Sequence, residues 1–193
     1  MTSSNESTPA NLPIPENDGS CNHLIGTRLP DLGLGSTLGD PVNLSRLPER
    51  IVVYCYPMTG RPDVPPPEGW GEIPGAMGCT PQSCAFRDHY GELCKLGVQV
   101  FGLSTQNTAY QKEMSDRLRL PFKVLSDERL MFSNSIRLPT FKFEDKTLTK
   151  RVTFVANNGV IEAVHYPVFP SDSDPEWAIN HLEHVPSRSV EVD

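Results

Sequence analysis

The residues with the plainest capacity for chemistry are five cysteines: Cys21, Cys55, Cys79, Cys84 and Cys94. They form no Cys-x-x-Cys pair and no paired knuckles of the zinc type. An odd, small set is also a poor disulfide scaffold. Reactive thiol chemistry and plain burial are the two readings left. Cys79 stands in Gly78-Cys79-Thr80-Pro81. Thr80 is a good N-cap and Pro81 a good first helical residue, so a helix is expected to follow. The first turn of a helix leaves backbone N–H groups unpaired and carries partial positive charge. A thiolate placed there is stabilised, and such cysteines titrate below the free value of about 8.5. Gly78 lets the backbone approach closely. The competing reading is an inert, buried cysteine at a helix start.

Cys84 lies five residues on, in the first turns of the same expected helix. A sulfenic acid on Cys79 can be trapped by this second thiol. Five residues of intact helix rise about 7.5 Å, whereas a disulfide wants its Cα atoms within about 4.4–6.8 Å. The spacing therefore predicts an ordered first turn in the reduced form and a melted one in the oxidised form.

The elements that position these thiols can be read outward from them. Residues 1–20 are Ser, Thr, Asn, Pro and Glu with little apolar content, and read as a disordered tail. Residues 21–186 read as one domain, and 187–193 as a C-terminal tail. The apolar run Ile51–Tyr56 reads as a central strand buried on both faces, ending at Pro57. Residues 58–77 hold Pro62, Pro65, Pro66, Pro67, Pro74 and several glycines, so they read as a long loop, neither helix nor inner strand. Loops of this length are functional or disordered in most compact domains. After Cys79 one helix is expected to run to Gly97, with Phe86, Tyr90, Leu93 and Cys94 on its apolar face. Val98–Leu103 reads as a second buried strand, Asn107–Leu120 as a helix, and Val124-Leu125 as a short strand. Ser126 or Asp127 is expected to cap a helix reaching about Ile136. Val152–Ala156 and Val160–His165 flank Asn157-Asn158-Gly159, a hairpin signal. Asp174-Pro175 opens a last helix. The alternation predicts an α/β fold with helices on both faces of the sheet.

The chain has 193 residues, enough for one domain with a real core. Its net charge of −7 argues against nucleic acid as the main partner. No apolar run approaches the roughly 18–20 residues of a membrane span. No basic-then-apolar leader opens the sequence, so the cytoplasm is the expected location.

The stretch Gly78-Cys79-Thr80-Pro81-Gln82-Ser83-Cys84-Ala85-Phe86-Arg87-Asp88 resembles the active site of peroxiredoxins of the bacterioferritin-comigratory, or Q, type. The strand ending in Tyr56-Pro57 is similar to that family as well. So are Val124-Leu125-Ser126-Asp127 and Lys150-Arg151-Val152-Thr153-Phe154-Val155. The resemblance implies a thioredoxin-like fold, a central mixed β-sheet flanked by helices. It implies Cys79 as the peroxidatic cysteine, Cys84 as an intramolecular resolving cysteine, and Arg151 as the arginine that reaches the peroxidatic sulfur. It implies reduction of hydrogen peroxide and organic hydroperoxides, with recycling by a thioredoxin-like or glutaredoxin-like donor. No metal or organic cofactor is implied, and the protein is expected as a monomer or homodimer.

The sequence departs from the family before the cysteine. The family places a Thr or Ser three residues ahead of it and a Pro four further back; here Ala76 and Glu72 stand there. Pro57 matches the proline, with residues 58–77 inserted after it. Thr59 and Thr80 become the candidates to orient the peroxide. Trp70, the large aromatic group of the insertion, is a candidate shield over the pocket. An oxidant sensor or binding protein of the same fold is the competing class, kept open by the missing hydroxyl. Cys55 and Cys94 read as inert core thiols, and Cys21 as a thiol at the tail able to reach another subunit. His181 and His184 have a spacing that can bind metal but read as a solvated helix face.

Overall fold

The computed structural model describes residues 12–185. In chain order the described elements are β1 (Gly35–Ser36), β2 (Ile51–Cys55), α1 (Cys79–Asp88), α2 (Tyr90–Lys95), β3 (Gln99–Ser104), α3 (Thr108–Leu118) and β4 (Lys123–Ser126). They continue as α4 (Met131–Ser135), β5 (Thr140–Phe143), β6 (Lys146–Thr149), β7 (Val152–Asn157), β8 (Val160–His165) and α5 (Asp174–His184). A six-stranded sheet has the order β1-β4-β3-β2-β7-β8, and β5-β6 form a separate hairpin. β2, β3 and β4 are parallel neighbours, while β7 runs antiparallel to β2, so the sheet is mixed as expected.

The period of two along β2 divides the core. Val52 and Tyr54, with Tyr56 beyond the strand end, face one side, where Phe86, Leu93, Met114, Ala178 and Leu182 bring in α1, α2, α3 and α5. Ile51, Val53 and Cys55 face the other side, covered by α4 and by the extended segment from Cys21 to Leu44. The second face is thus closed largely by N-terminal chain, where helices were expected.

Several boundaries depart from the sequence reading. Residues 12–20 lie in the expected tail, yet Asp18 joins Lys150 at 2.6 Å and the Tyr166 hydroxyl at 2.9 Å. A polar segment that finds partners on the domain is held without a hydrophobic face of its own. The rest of that tail, and the C-terminal one, lie outside the described residues. The helix after Cys79 breaks at His89, whose ψ of 3° leaves the helical range. The break shifts the phase of α2, so Cys94 is exposed and not on the apolar face. The N-cap of α4 is Leu130, not Ser126 or Asp127; the Asp127 carboxylate reaches the helix across an intervening turn and accepts from Phe132 N at 2.9 Å and Ser133 N at 2.8 Å. Cys21 is buried and packed in the core rather than free to reach another subunit. The hairpin β5–β6 was not foreseen, because Phe141 and Phe143 alternate over too short a run to stand out.

Candidate active site

The sheet register builds the site. Val152 pairs with Cys55, so Arg151, one residue earlier on the antiparallel strand, sits at the C-terminal end of β2. The insertion leaves that same end after Pro57 and returns at Gly78. Gly78 takes a φ of 98°, a left-handed conformation open to glycine, and starts α1 with Cys79 as its first residue. A Cβ there would lie 2.3 Å from Ser171 Oγ, so the close approach also requires glycine. Thr80, expected as the cap, is instead the second residue of the helix.

Cys79 and Arg151 are each only 4 % exposed. Arg151 Nη2 lies 3.2 Å from Cys79 Sγ. The same nitrogen is 3.0 Å from Met77 O and 3.2 Å from Gly75 O, which ties the end of the insertion to the arginine. Arg151 Nη1 donates to Gln82 Oε1, and Gln82 Nε2 donates to Asp174 Oδ2 at 2.5 Å. Arg151 thus sets a buried, charged hydrogen-bond donor against the Cys79 sulfur at the start of α1. The same fork can donate to an oxygen bound beside the sulfur.

Comparison with known proteins places the chain in a family. The redoxin family model matches residues 24–179. Peroxiredoxin Q, chloroplastic, of Oryza sativa subsp. japonica is 33 % identical over 166 residues, covering 82 % of this chain and 68 % of its own. That of Sedum lineare is 32 % identical over 160 residues, covering 82 % and 77 %. The chain belongs to the redoxin family, as a peroxiredoxin of the bacterioferritin-comigratory or Q type. Among solved structures, peroxidoxin BcpB from Mycobacterium tuberculosis has a TM-score of 0.69 at 23 % identity, covering 84 % of this chain and 98 % of its own. A Xanthomonas campestris peroxiredoxin Q structure has a TM-score of 0.64 at 19 % identity, covering 81 % and 94 %. Both share the thioredoxin-like peroxiredoxin fold. The enzyme is therefore a thiol peroxidase.

The other expected residues of this peroxiredoxin divide between the site and its surroundings. Thr59 is buried and lines the same cleft as Cys79, as does Thr80. Gln106 holds Thr59 on both sides: its Oε1 accepts from Thr59 N at 2.9 Å and its Nε2 donates to Thr59 O at 3.0 Å. Pro57 is buried at the strand end, where its carbonyl accepts from Ser104 Oγ at 3.0 Å, and it does not line the cleft. Cys84 is half-buried in α1, and loss of water raises its thiol pKa. Burial pushes Cys21 up to about 12 and Cys55 well above the ordinary thiol value, which fits inert thiols. His181 stacks on Trp177 and His184 Nδ1 contacts Asn180 O; among the described residues they belong to no group of three or more metal-ligating side chains.

The cleft has a volume of about 1300 Å³. Its walls are the insertion from Met58 to Pro67, Trp70, and the β6 side of the hairpin. Trp70 is buried, 4.9 Å from the Phe143 ring, and forms a small apolar cluster with Phe141, Leu148 and Ala76. The insertion is thus a wall of the site, built on the hairpin. Sequence reasoning missed Gln82, Asp174 and Gln106. Gln82 stands inside the motif that carries the resemblance; Asp174 carried only a helix-start signal.

Proposed function

We propose that Cys79 is the peroxidatic thiol of this peroxidase and that Cys84 resolves it. The observation that carries this reading is the 3.2 Å approach of Arg151 Nη2 to Cys79 Sγ at the first residue of α1. The Cys79 thiolate attacks one oxygen of hydrogen peroxide or an organic hydroperoxide. The O–O bond breaks, the attacked oxygen stays on sulfur as a sulfenic acid, and the other leaves as water or alcohol after taking a proton. Arg151 stabilises the thiolate and the charge building on the leaving oxygen. Thr59 or Thr80, both on the cleft, orients the peroxide. Cys84 then attacks the sulfenic sulfur, water leaves, and a Cys79–Cys84 disulfide forms.

Closing that bond requires movement. Both thiols are free and lie in one intact helix, with Cys79 inside it. The axial rise of about 7.5 Å exceeds the Cα span of a disulfide, about 4.4–6.8 Å. The first turn of α1 therefore unwinds before closure. A thioredoxin-like or glutaredoxin-like dithiol then reduces the bond. The cytoplasm is the location this reading proposes.

The test is to add one equivalent of hydrogen peroxide to the reduced protein and map the thiols by mass spectrometry within a second. A Cys79–Cys84 disulfide is the expected product. Oxidised Cys79 beside free Cys84 would assign resolution to another thiol, and an unreacted Cys79 would end the reading.

A further inference from the structure

We propose that Asp174 is a positioning residue for this reaction, orienting Gln82 so that Gln82 holds Arg151 against Cys79; this rests on the Cys79 reading above. Gln82 and Asp174 are both fully buried. Three groups converge on the Asp174 carboxylate. Gln82 Nε2 and Thr153 Oγ1 each donate to Oδ2 at 2.5 Å, and His165 Nδ1 lies 2.8 Å from Oδ1. A carboxylate only accepts hydrogen bonds, so it meets the NH₂ end of the Gln82 amide and excludes the oxygen end. The Gln82 oxygen must then face the other way, where Arg151 Nη1 donates to it. A flipped amide would set NH₂ against guanidinium, donor against donor. Arg151 would lose its support on the Nη1 side, leaving only the backbone carbonyls of Gly75, Ala76 and Met77 to hold Nη2 at its 3.2 Å approach to Cys79 Sγ.

The same tie has a second consequence. Gln82 belongs to the first turn of α1, the turn that unwinds for the disulfide. Asp174 stands on α5, so the Gln82–Asp174 bond fastens that turn to a distant helix. Cutting the tie should slow peroxide attack and speed disulfide closure. A general loosening of the fold would also lower Tm and would not be undone by exchanging the two partners.

The experiment follows both steps by rapid quenching and mass spectrometry, with folding checked by thermal melting. Asp174→Asn lets Gln82 flip, and should slow Cys79 oxidation about tenfold while closure accelerates. Gln82→Glu alone sets carboxylate against carboxylate and should also slow oxidation. The double swap, Gln82→Glu with Asp174→Asn, exchanges donor and acceptor but keeps both bonds. It should return both rates to within about threefold of the parent. If Asp174→Asn alone does not fold, the swap measured against Gln82→Glu carries the test. A folded Asp174→Asn variant with unchanged oxidation, or a folded swap no faster than its single variants, overturns the positioning role. A parent protein whose Cys79 stays reduced under peroxide removes the Cys79 reading and this inference with it.

Discussion

The floor and the wall of the cleft are built by different forces. Cys79 reaches the floor, and beneath it Arg151, Gln82, Asp174 and Thr153, all buried, and the part-buried His165 are joined to it by directional hydrogen bonds. On the wall, Trp70, Phe141, Phe143 and Leu148 meet through apolar contact, and the outer insertion from Arg61 to Pro66 is exposed. Buried hydrogen bonds fix angles and distances, because a misplaced donor or acceptor loses its partner with no water to replace it. Apolar contacts are non-directional and tolerate small shifts. The floor is therefore suited to hold a reacting sulfur to a fraction of an ångström, and the wall to shape what reaches it.

Four measurements would sharpen or break this contrast. Arg151→Ala strikes the floor where one side chain touches sulfur, amide and backbone. Loss of a preorganised donor should lower the rate of Cys79 oxidation about 10²–10³-fold, read by stopped-flow with hydrogen peroxide. A drop of only a few-fold would show that the helix N-terminus does most of the stabilising.

The second thiol offers a pH test. Desolvation raises the Cys84 pKa, so at neutral pH it is mostly thiol. Its thiolate fraction grows as pH rises towards that raised value. Alkylation of Cys84 in a Cys79→Ser background should therefore increase about tenfold per pH unit from pH 7 past the free-thiol value of about 8.5. A plateau below that value would contradict the burial of this thiol.

Two glycines compare the regions by stability. At Gly78 a Cβ would meet Ser171 Oγ at 2.3 Å in a left-handed backbone, so Gly78→Ala should cost about 1–3 kcal/mol and lower Tm. Gly71, in the insertion, has nothing within 4 Å of the same position. Gly71→Ala should stay within about 0.5 kcal/mol of the parent. Equal effects would remove the contrast in rigidity.

The smallest effect on hydrogen peroxide is expected from Trp70→Ala. It opens the wall without touching the floor, so oxidation of Cys79 by hydrogen peroxide should hardly move. Turnover of a bulky organic hydroperoxide, compared by KM and kcat, should change more. Equal loss with both substrates would show that the wall also holds the floor in place.

What the sequence by itself determined was local or periodic. The thiol pair, the glycine before it, the apolar strands and the Asn-Asn-Gly hairpin depend on neighbours within a few residues, where spacing and propensity speak directly. The start of α1 at Cys79 shifted a boundary while keeping the element, whereas the break at His89 divided one expected helix into α1 and α2. Arg151 was legible only through the resemblance, since a lone arginine before a strand reads far more readily as an exposed charge. Tertiary structure alone decided that the β2–β7 register sets Arg151 beside Cys79, that Trp70 finds Phe143, and that Asp174 meets Gln82 across 92 positions of chain. These choices belong to pairs far apart in sequence, whose partners are selected by sheet register and by the need of each buried polar group for a complementary one.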